Sequence, residues 1–299
     1  MSAQFRRASK TGFSFLLLAT WVACAADDAY VAEIQKSRQE SDAFMRSDKS
    51  PLRLVGRFQV AEGVSTLGSD PAATIVFPER APRQIGKLTR HAREFRFETS
   101  PGVVVTINGK PITGAAELHV AKNPEPSDRV GTGDFLFAIR PIGEDFYLLL
   151  QDANSPFLRD FKGSTWFPID AAYRAEAQFS PYPQKETTLV PFTSGGSEPY
   201  TASGDVVFQL GGRTLRLKTF ESHGSLLVMF LDQTSGKETY GGGRFLGAPM
   251  PKDGKTILDF NKAYNPYCAF NPYAVCPIPP RENRLTVRIV AGERYVNHP

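Results

Sequence analysis

The sequence predicts a mainly β protein: an N-terminal helix, then a β-sandwich packed beside a second β-rich domain. Three observations carry that prediction. Apolar residues come in short runs, alternating or continuous, each stopped by a glycine, a proline or an Asn-Gly pair, which is the rhythm of strands and hairpins. The 25 glycines, 23 prolines and 22 phenylalanines among 299 residues supply many turns and many large side chains to pack between sheets. Only one stretch, near the start, places apolar residues at helical spacing. The length leaves room for two domains with real cores. A content of 41% hydrophobic and 22% charged residues belongs to a folded chain rather than a disordered one.

Residues 1–25 have the make-up of a cleaved leader. Arg6, Arg7 and Lys10 form a basic start, Phe13 to Ala23 is an apolar run, and Ala23-Cys24-Ala25 supplies small residues for cleavage, with Ala26 as the mature start. A short membrane anchor is the plainer alternative, and Val22-Ala23-Cys24 loosely matches a lipoprotein box with Cys24 as the lipid carrier. The expected location is therefore periplasmic or secreted, with membrane attachment only through the leader or that lipid. The leader holds three basic and no acidic residues, so its removal lowers the net formal charge from +4 to +1. No phosphate-tracking basic surface remains, and nucleic acid is not an expected partner.

Four parts follow: the leader (1–25), a helical segment (26–51), the sandwich (52–164) and the C-terminal β-rich domain (165–299). Tyr30, Ile34 and Ala43-Phe44 set a helix over Ala29 to Met45, capped by Asp27-Asp28 and ended by Pro51. The sandwich strands centre on Leu52–Val55, Arg57–Val60, Ile75–Phe77, Phe95–Glu98, Val103–Ile107, Phe135–Ile139 and Phe146–Leu150, and Asn108-Gly109 is a hairpin turn. In the C-terminal part, Ala175 to Phe179 alternates and Gly211-Gly212 joins two strands. Leu226 to Leu231 is a central strand, and Leu285 to Ile289 is a terminal one. Pro181 to Tyr200 reads as loop or edge strand.

The segments LGSDPAATIVFP, VTINGKPI and VGTGDFLFAIRPIGEDFYLLLQD resemble the forkhead-associated (FHA) sandwich. That family binds phosphothreonine through an Arg after the first Gly and a Ser-x-x-His pair. Here Ser69 follows Gly68 and no Ser-x-x-His lies between Pro78 and Leu88, so the resemblance implies an FHA-like fold and not the phosphopeptide activity.

The most unusual stretch is DFNKAYNPYCAFNPYAVCPIPPRENR, Asp259 to Arg284, with five prolines, four asparagines, three tyrosines and two cysteines. Proline breaks both regular periods, so this is an ordered irregular loop. In an exported protein the even pair Cys268 and Cys276 points to a disulfide. SPLRLVGRFQVAEGVSTLGSDP, TSGKETYGGGRFL and LDFNKAYNPYCAFNPYAVCPIPPRENRL resemble the bacterial domain-of-unknown-function 1684 family, collinear from about Tyr30 to Glu293. Tyr267 departs from it, standing where the family usually has a second Pro. The resemblance implies no activity.

Candidate binding residues gather in and beside this loop: Arg244, Asp259, Asn261, Tyr264, Asn265, Glu282, Asn283 and Arg284. Arg244 and Arg284 can pair with Asp259 or Glu282, or hold an anionic ligand bidentately. Gly241 to Gly243 allow a backbone to come close to a ligand, or to the loop itself. The alternative is a loop whose Asn and Asp side chains satisfy its own backbone. No metal or cofactor is expected: the cysteines lack knuckle spacing and His91, His119, His223 and His298 are scattered. No GxSxG occurs. The expected function is an envelope-associated binding protein for a small molecule or peptide. The alternatives are a hydrolytic enzyme using Asp259, Asn261 and Arg244, and a structural scaffold.

Overall fold

A computed structural model describes residues 16–120 and 126–295, with side chains from residue 28 onward. The basic start of the leader and His298 lie outside the described residues. A single helix, α1 (Leu16–Met45), opens the described chain. It runs straight through Asp27-Asp28, so these residues are not its cap. The helix was expected to begin at Ala29, but nothing in the sequence interrupts the periodicity upstream.

Eleven strands then form two facing sheets. They are β1 (Leu54–Gln59), β2 (Gly63–Gly68), β3 (Ile75–Val76), β4 (Gly86–His91), β5 (Glu94–Thr99), β6 (Val105–Ile107), β7 (Lys110–Ile112), β8 (Ala115–Leu118), β9 (Arg129–Thr132), β10 (Phe135–Ile142) and β11 (Asp145–Asp152). One sheet has the order β1-β11-β10-β9-β6-β7 and the other β3-β2-β4-β5-β8. Alternation builds the core between them. In β11 every second residue is buried, so Phe146, Leu148 and Leu150 meet Leu88, Phe95 and Phe97 from the other sheet. Phe137 is gripped edge-on by Phe77 and Phe97, with ring centroids 6.1 and 5.7 Å away. Asn108-Gly109 makes the two-residue turn between β6 and β7, with φ of 51° and 79°, the positive values that a tight right-twisted hairpin requires.

A short helix, α2 (Pro156–Asp160), leads to the second body. Its sheet contains β12 (Arg174–Pro191), β13 (Ser197–Leu210), β14 (Arg213–Ser222), β15 (Ser225–Phe230), β16 (Arg244–Ala248) and β17 (Lys255–Asp259), in the order β16-β15-β14-β13-β12-β17. The proline-rich stretch after Pro181 is strand: β12 and β13 pair again from Glu186↔Ala202 to Pro191↔Ser197 after a register break. Only Arg174 to Gln178 of β12 pairs with β17. The prolines therefore sit where one side of the strand has no ladder to lose.

The terminal strand expected over Leu285 to Ile289 does not form. This segment runs beside Leu231–Gln233 with isolated bonds, Leu285 N–H to Leu231 O at 2.7 Å and Gln233 N–H to Val287 O at 3.0 Å. Its apolar residues Leu285 and Ile289 are still buried. At its end a side chain, Arg244, takes the Ile289 carbonyl at 2.9 Å.

Candidate functional site

The segment after β17 is held by two sheet edges. Tyr264 bridges the edge strand β16, exchanging backbone bonds with Phe245 at 2.8 and 2.9 Å. Further on, Phe192 and Pro277 form a second bridge. Asn271 reaches the sandwich body, donating its amide to the carbonyls of Pro51 and Leu54 at 3.1 and 2.8 Å. These bonds answer the accounting question that an irregular, proline-rich segment raises about its backbone groups.

The eight sequence-selected residues fall into four separate groups. Asp259 and Asn261 form the first. Both are buried, and both are spent on docking α1. Tyr30 of α1 donates its hydroxyl to Asp259 Oδ1 and Oδ2 at 3.0 and 3.1 Å. Asn261 Nδ2 donates to the Tyr30 oxygen at 2.9 Å and to Asp170 O at 2.8 Å. Burial, and then the Asp259 charge, hold the Tyr30 phenol well above its ordinary range. Lys262 adds an ion pair to Glu33 of the same helix.

Arg244 belongs to a second group and does not pair with Asp259. It is 1% exposed. Its guanidinium meets Asp232 at 3.0 Å and donates to the carbonyls of Ile289, Ala291 and Glu293. Desolvation lowers its pKa and the Asp232 charge works against that shift. The arginine pins the C-terminal tail. Gly243 before it is needed for packing: its φ is +92° and a Cβ would come within 2.7 Å of Phe230 O and of Pro279 Cγ. The close approach is to the loop itself.

Glu282, Asn283 and Arg284 form the third group. Glu282 pairs with Lys218 at 3.0 Å rather than with an arginine. Asn283 is fully buried between β14 and β15. Arg284 lines a shallow surface hollow with Lys237 and Arg288.

Tyr264 and Asn265 are the two selected residues that line a half-open pocket together with residues of α1. The cavity holds about 210 Å³, between α1 and the loop, and its lining includes Ser41 and Phe44 of α1, Ser164, Tyr267, Phe270 and Glu293. Burial pushes Tyr264 up to about 12. Glu293 is pushed up to about 7 by desolvation, against the pull of the Asn265 N–H. Sequence reasoning missed Glu293, Asp232 and Tyr30. Glu293 and Asp232 carried the same signal, an acid directly after an apolar run, Ile289–Gly292 and Leu226–Leu231; nothing comparable marked Tyr30.

Cys268 and Cys276 are free thiols here, with the Cys268 N–H donating to Cys276 Sγ at 3.3 Å. A hydrogen bond from the Cys276 thiol, aided by the Tyr240 hydroxyl, brings Cys268 down to about 7, and the same bond drives Cys276 up. Among the described residues no group of His, Cys, Asp and Glu is arranged to hold a metal ion.

The fold is thus a mainly β protein with one N-terminal helix, and the loop and tail of its second body carry the densest polar network described above. Residues 159–294 match the profile of the family described as protein of unknown function (DUF1684). The Gly-rich and Cys-loop motifs lie inside that range, and the motif from Ser50 to Pro71 lies before it. A solution NMR structure of an uncharacterized protein from Haloarcula marismortui is 34% identical over 46% of this chain and 80% of that one, with a TM-score of 0.40. No curated protein matches the chain.

Proposed function

We propose that this is an exported binding protein for a small molecule, taken up in the cavity between α1 and the Cys loop. The observation that carries the reading is the pocket itself: α1 and the Cys loop meet around a half-open space of about 210 Å³ that Ser41, Tyr264, Asn265 and Glu293 help to line. Hydrolysis by Asp259 and Arg244 is disfavoured, because both side chains are consumed in internal bonds and stand in different groups.

Ser41 lines the cavity from the helix side, so Ser41→Trp fills the space while leaving the loop intact. A library of small metabolites screened by ligand-observed NMR is expected to give binders for the mature protein that Ser41→Trp loses. Equal binding by the two proteins, or no binder at all, would remove the cavity as the site.

Export rests on the basic start and apolar run of residues 1–25, and the sandwich is read as FHA-like on its sequence motifs. In an oxidising compartment the neighbouring thiols of Cys268 and Cys276 are expected to join, closing a small loop worth about 2.5 kcal/mol on chain-entropy grounds. Thiol labelling of the mature protein purified without reductant should find both cysteines blocked. Full labelling of both would sink the disulfide and weaken the case for export.

A further inference from the structure

We propose that a second site, the hollow between α2 and the Cys loop, binds the alkyl chain of a medium-chain monocarboxylate and holds its carboxylate at Lys162. This site is independent of the cavity beside α1 and shares only Phe270 with it.

The walls come from three separate parts of the chain. Phe157 in α2 and Phe161 just after it stand at i and i+4, which puts both rings on one side of the turn. Leu52 packs with them in one apolar cluster. Phe270 of the Cys loop closes the far side, its ring edge-on to Phe161 at 5.9 Å. The next residue fixes that ring in place, because Asn271 donates to the carbonyls of Pro51 and Leu54 on either side of Leu52. The Ser155 hydroxyl ties the start of α2 to the same point by donating to Leu52 O. The hollow is thus formed before any ligand arrives.

Its size and lining select an alkyl chain. The volume is about 480 Å³, within the range of roughly 300–1,000 Å³ usual for small-molecule sites. It equals roughly sixteen water volumes, room for about a dozen non-hydrogen atoms with water left at the mouth. Asp160 and Lys162 are the polar side chains of the lining, and both are exposed at its rim. No side chain further in can hydrogen-bond the middle of a ligand, so a polar body would lose its water without replacement.

The rim selects the head group. Arg159 already holds both oxygens of Asp160, at 2.9 and 3.0 Å. Lys162 has no ion-pair partner among the described residues. Its charge reaches Asp160, where it is the second cation beside an acid that is already matched. Asp42 of α1, beside Gly163, accepts from the Ser164 N–H at 3.0 Å and has Arg46 next to it. One positive charge is therefore left in surplus over an apolar hollow. Its complement is one negative charge on an apolar chain.

The test titrates the purified protein with decanoate, decylammonium and octanoate by isothermal titration calorimetry, below their micelle concentrations. Decanoate should bind saturably and at least about tenfold more tightly than decylammonium. Octanoate should be about fifteenfold weaker than decanoate, about fourfold for each CH₂ removed. Lys162→Met keeps the apolar stem at an exposed position and should abolish the preference for carboxylate over ammonium. Ser41→Trp, which fills the other cavity, should bind decanoate as the wild type does; loss in that variant would place the chain beside α1 and overturn this site. Equal binding of decanoate and decylammonium, or an unchanged preference in Lys162→Met, would overturn the carboxylate assignment. Absence of saturable decanoate binding would overturn the site and leave the Ser41 cavity untouched. So would a protein that runs as a dimer until Phe157→Ser makes it monomeric, since a second copy would then be the occupant.

Discussion

Replacing Arg244 with methionine is expected to cost about 3–5 kcal/mol of folding stability, a large share of what a domain of this size has to lose. The size follows from what the guanidinium leaves behind. Asp232 would stay buried with its charge unanswered by a cation, keeping the N–H of Ile289 on Oδ2 and the Thr234 and Ser235 bonds on Oδ1. The carbonyls of Ile289 and Ala291 would also lose their donor. Urea unfolding should show a lowered midpoint. The double variant Arg244→Met with Asp232→Leu should recover part of the loss, because a buried ion pair owes much of its apparent worth to the penalty of breaking it halfway. A single variant within 1 kcal/mol of wild type would mean that water reaches Asp232 and that the tail is not held from this point.

Asn283→Leu comes second, at about 3 kcal/mol or more. The ladder between β14 and β15 spans only Phe220↔Leu227 to Ser222↔Ser225. Continuing that register would bring Lys218 opposite Met229, and Asn283 occupies that place. Its Oδ1 accepts the Lys218 N–H at 2.7 Å, and its Nδ2 donates to Lys218 O and Met229 O at 2.9 and 2.8 Å. The side-chain amide acts as an inserted piece of backbone between two diverging strands. Leucine would leave one buried donor and two buried acceptors unmet. Hydrogen exchange supplies the specific readout: the Lys218 amide should lose protection well before the Phe220 amide does. Equal protection at both positions would show that the strands close up without the asparagine.

These two residues also show what could and could not be read ahead of the structure. Strands such as β5 and β11 are legible because alternation is local, and the β6–β7 hairpin is legible because Asn108-Gly109 needs no partner elsewhere. The loop was legible as a special segment from its composition. Its internal assignments were not, because an irregular segment has no period from which to count. Arg244, Asp259 and Asn283 all carry groups suited to a ligand, and each found its counterpart inside the protein, at Asp232, Tyr30 and Lys218. Residues such as Leu285 and Ile289 keep their apolar character and their burial, yet no strand forms: the segment meets Leu231 and Gln233 through isolated bonds, and Arg244 takes the Ile289 carbonyl. The cavity was half visible: Tyr264 and Asn265 lie in the loop, while Phe44 and Glu293 come from chain positions on either side of it.

The docking of α1 bears on the order in which the protein is assembled. Tyr30 bonds to a carboxylate 229 residues downstream, Glu33 pairs with Lys262, and Arg38 reaches the carbonyls of Phe167 and Asn261. A ribosome releases this helix long before its landing surface. The sandwich can complete its core in the interval, since its residues lie between Val55 and Leu150, but α1 has nothing native to settle on until β17 and the turn after it have emerged. The helix is therefore made early and placed late. A chain cut anywhere before Asp259 would carry a helix without its berth.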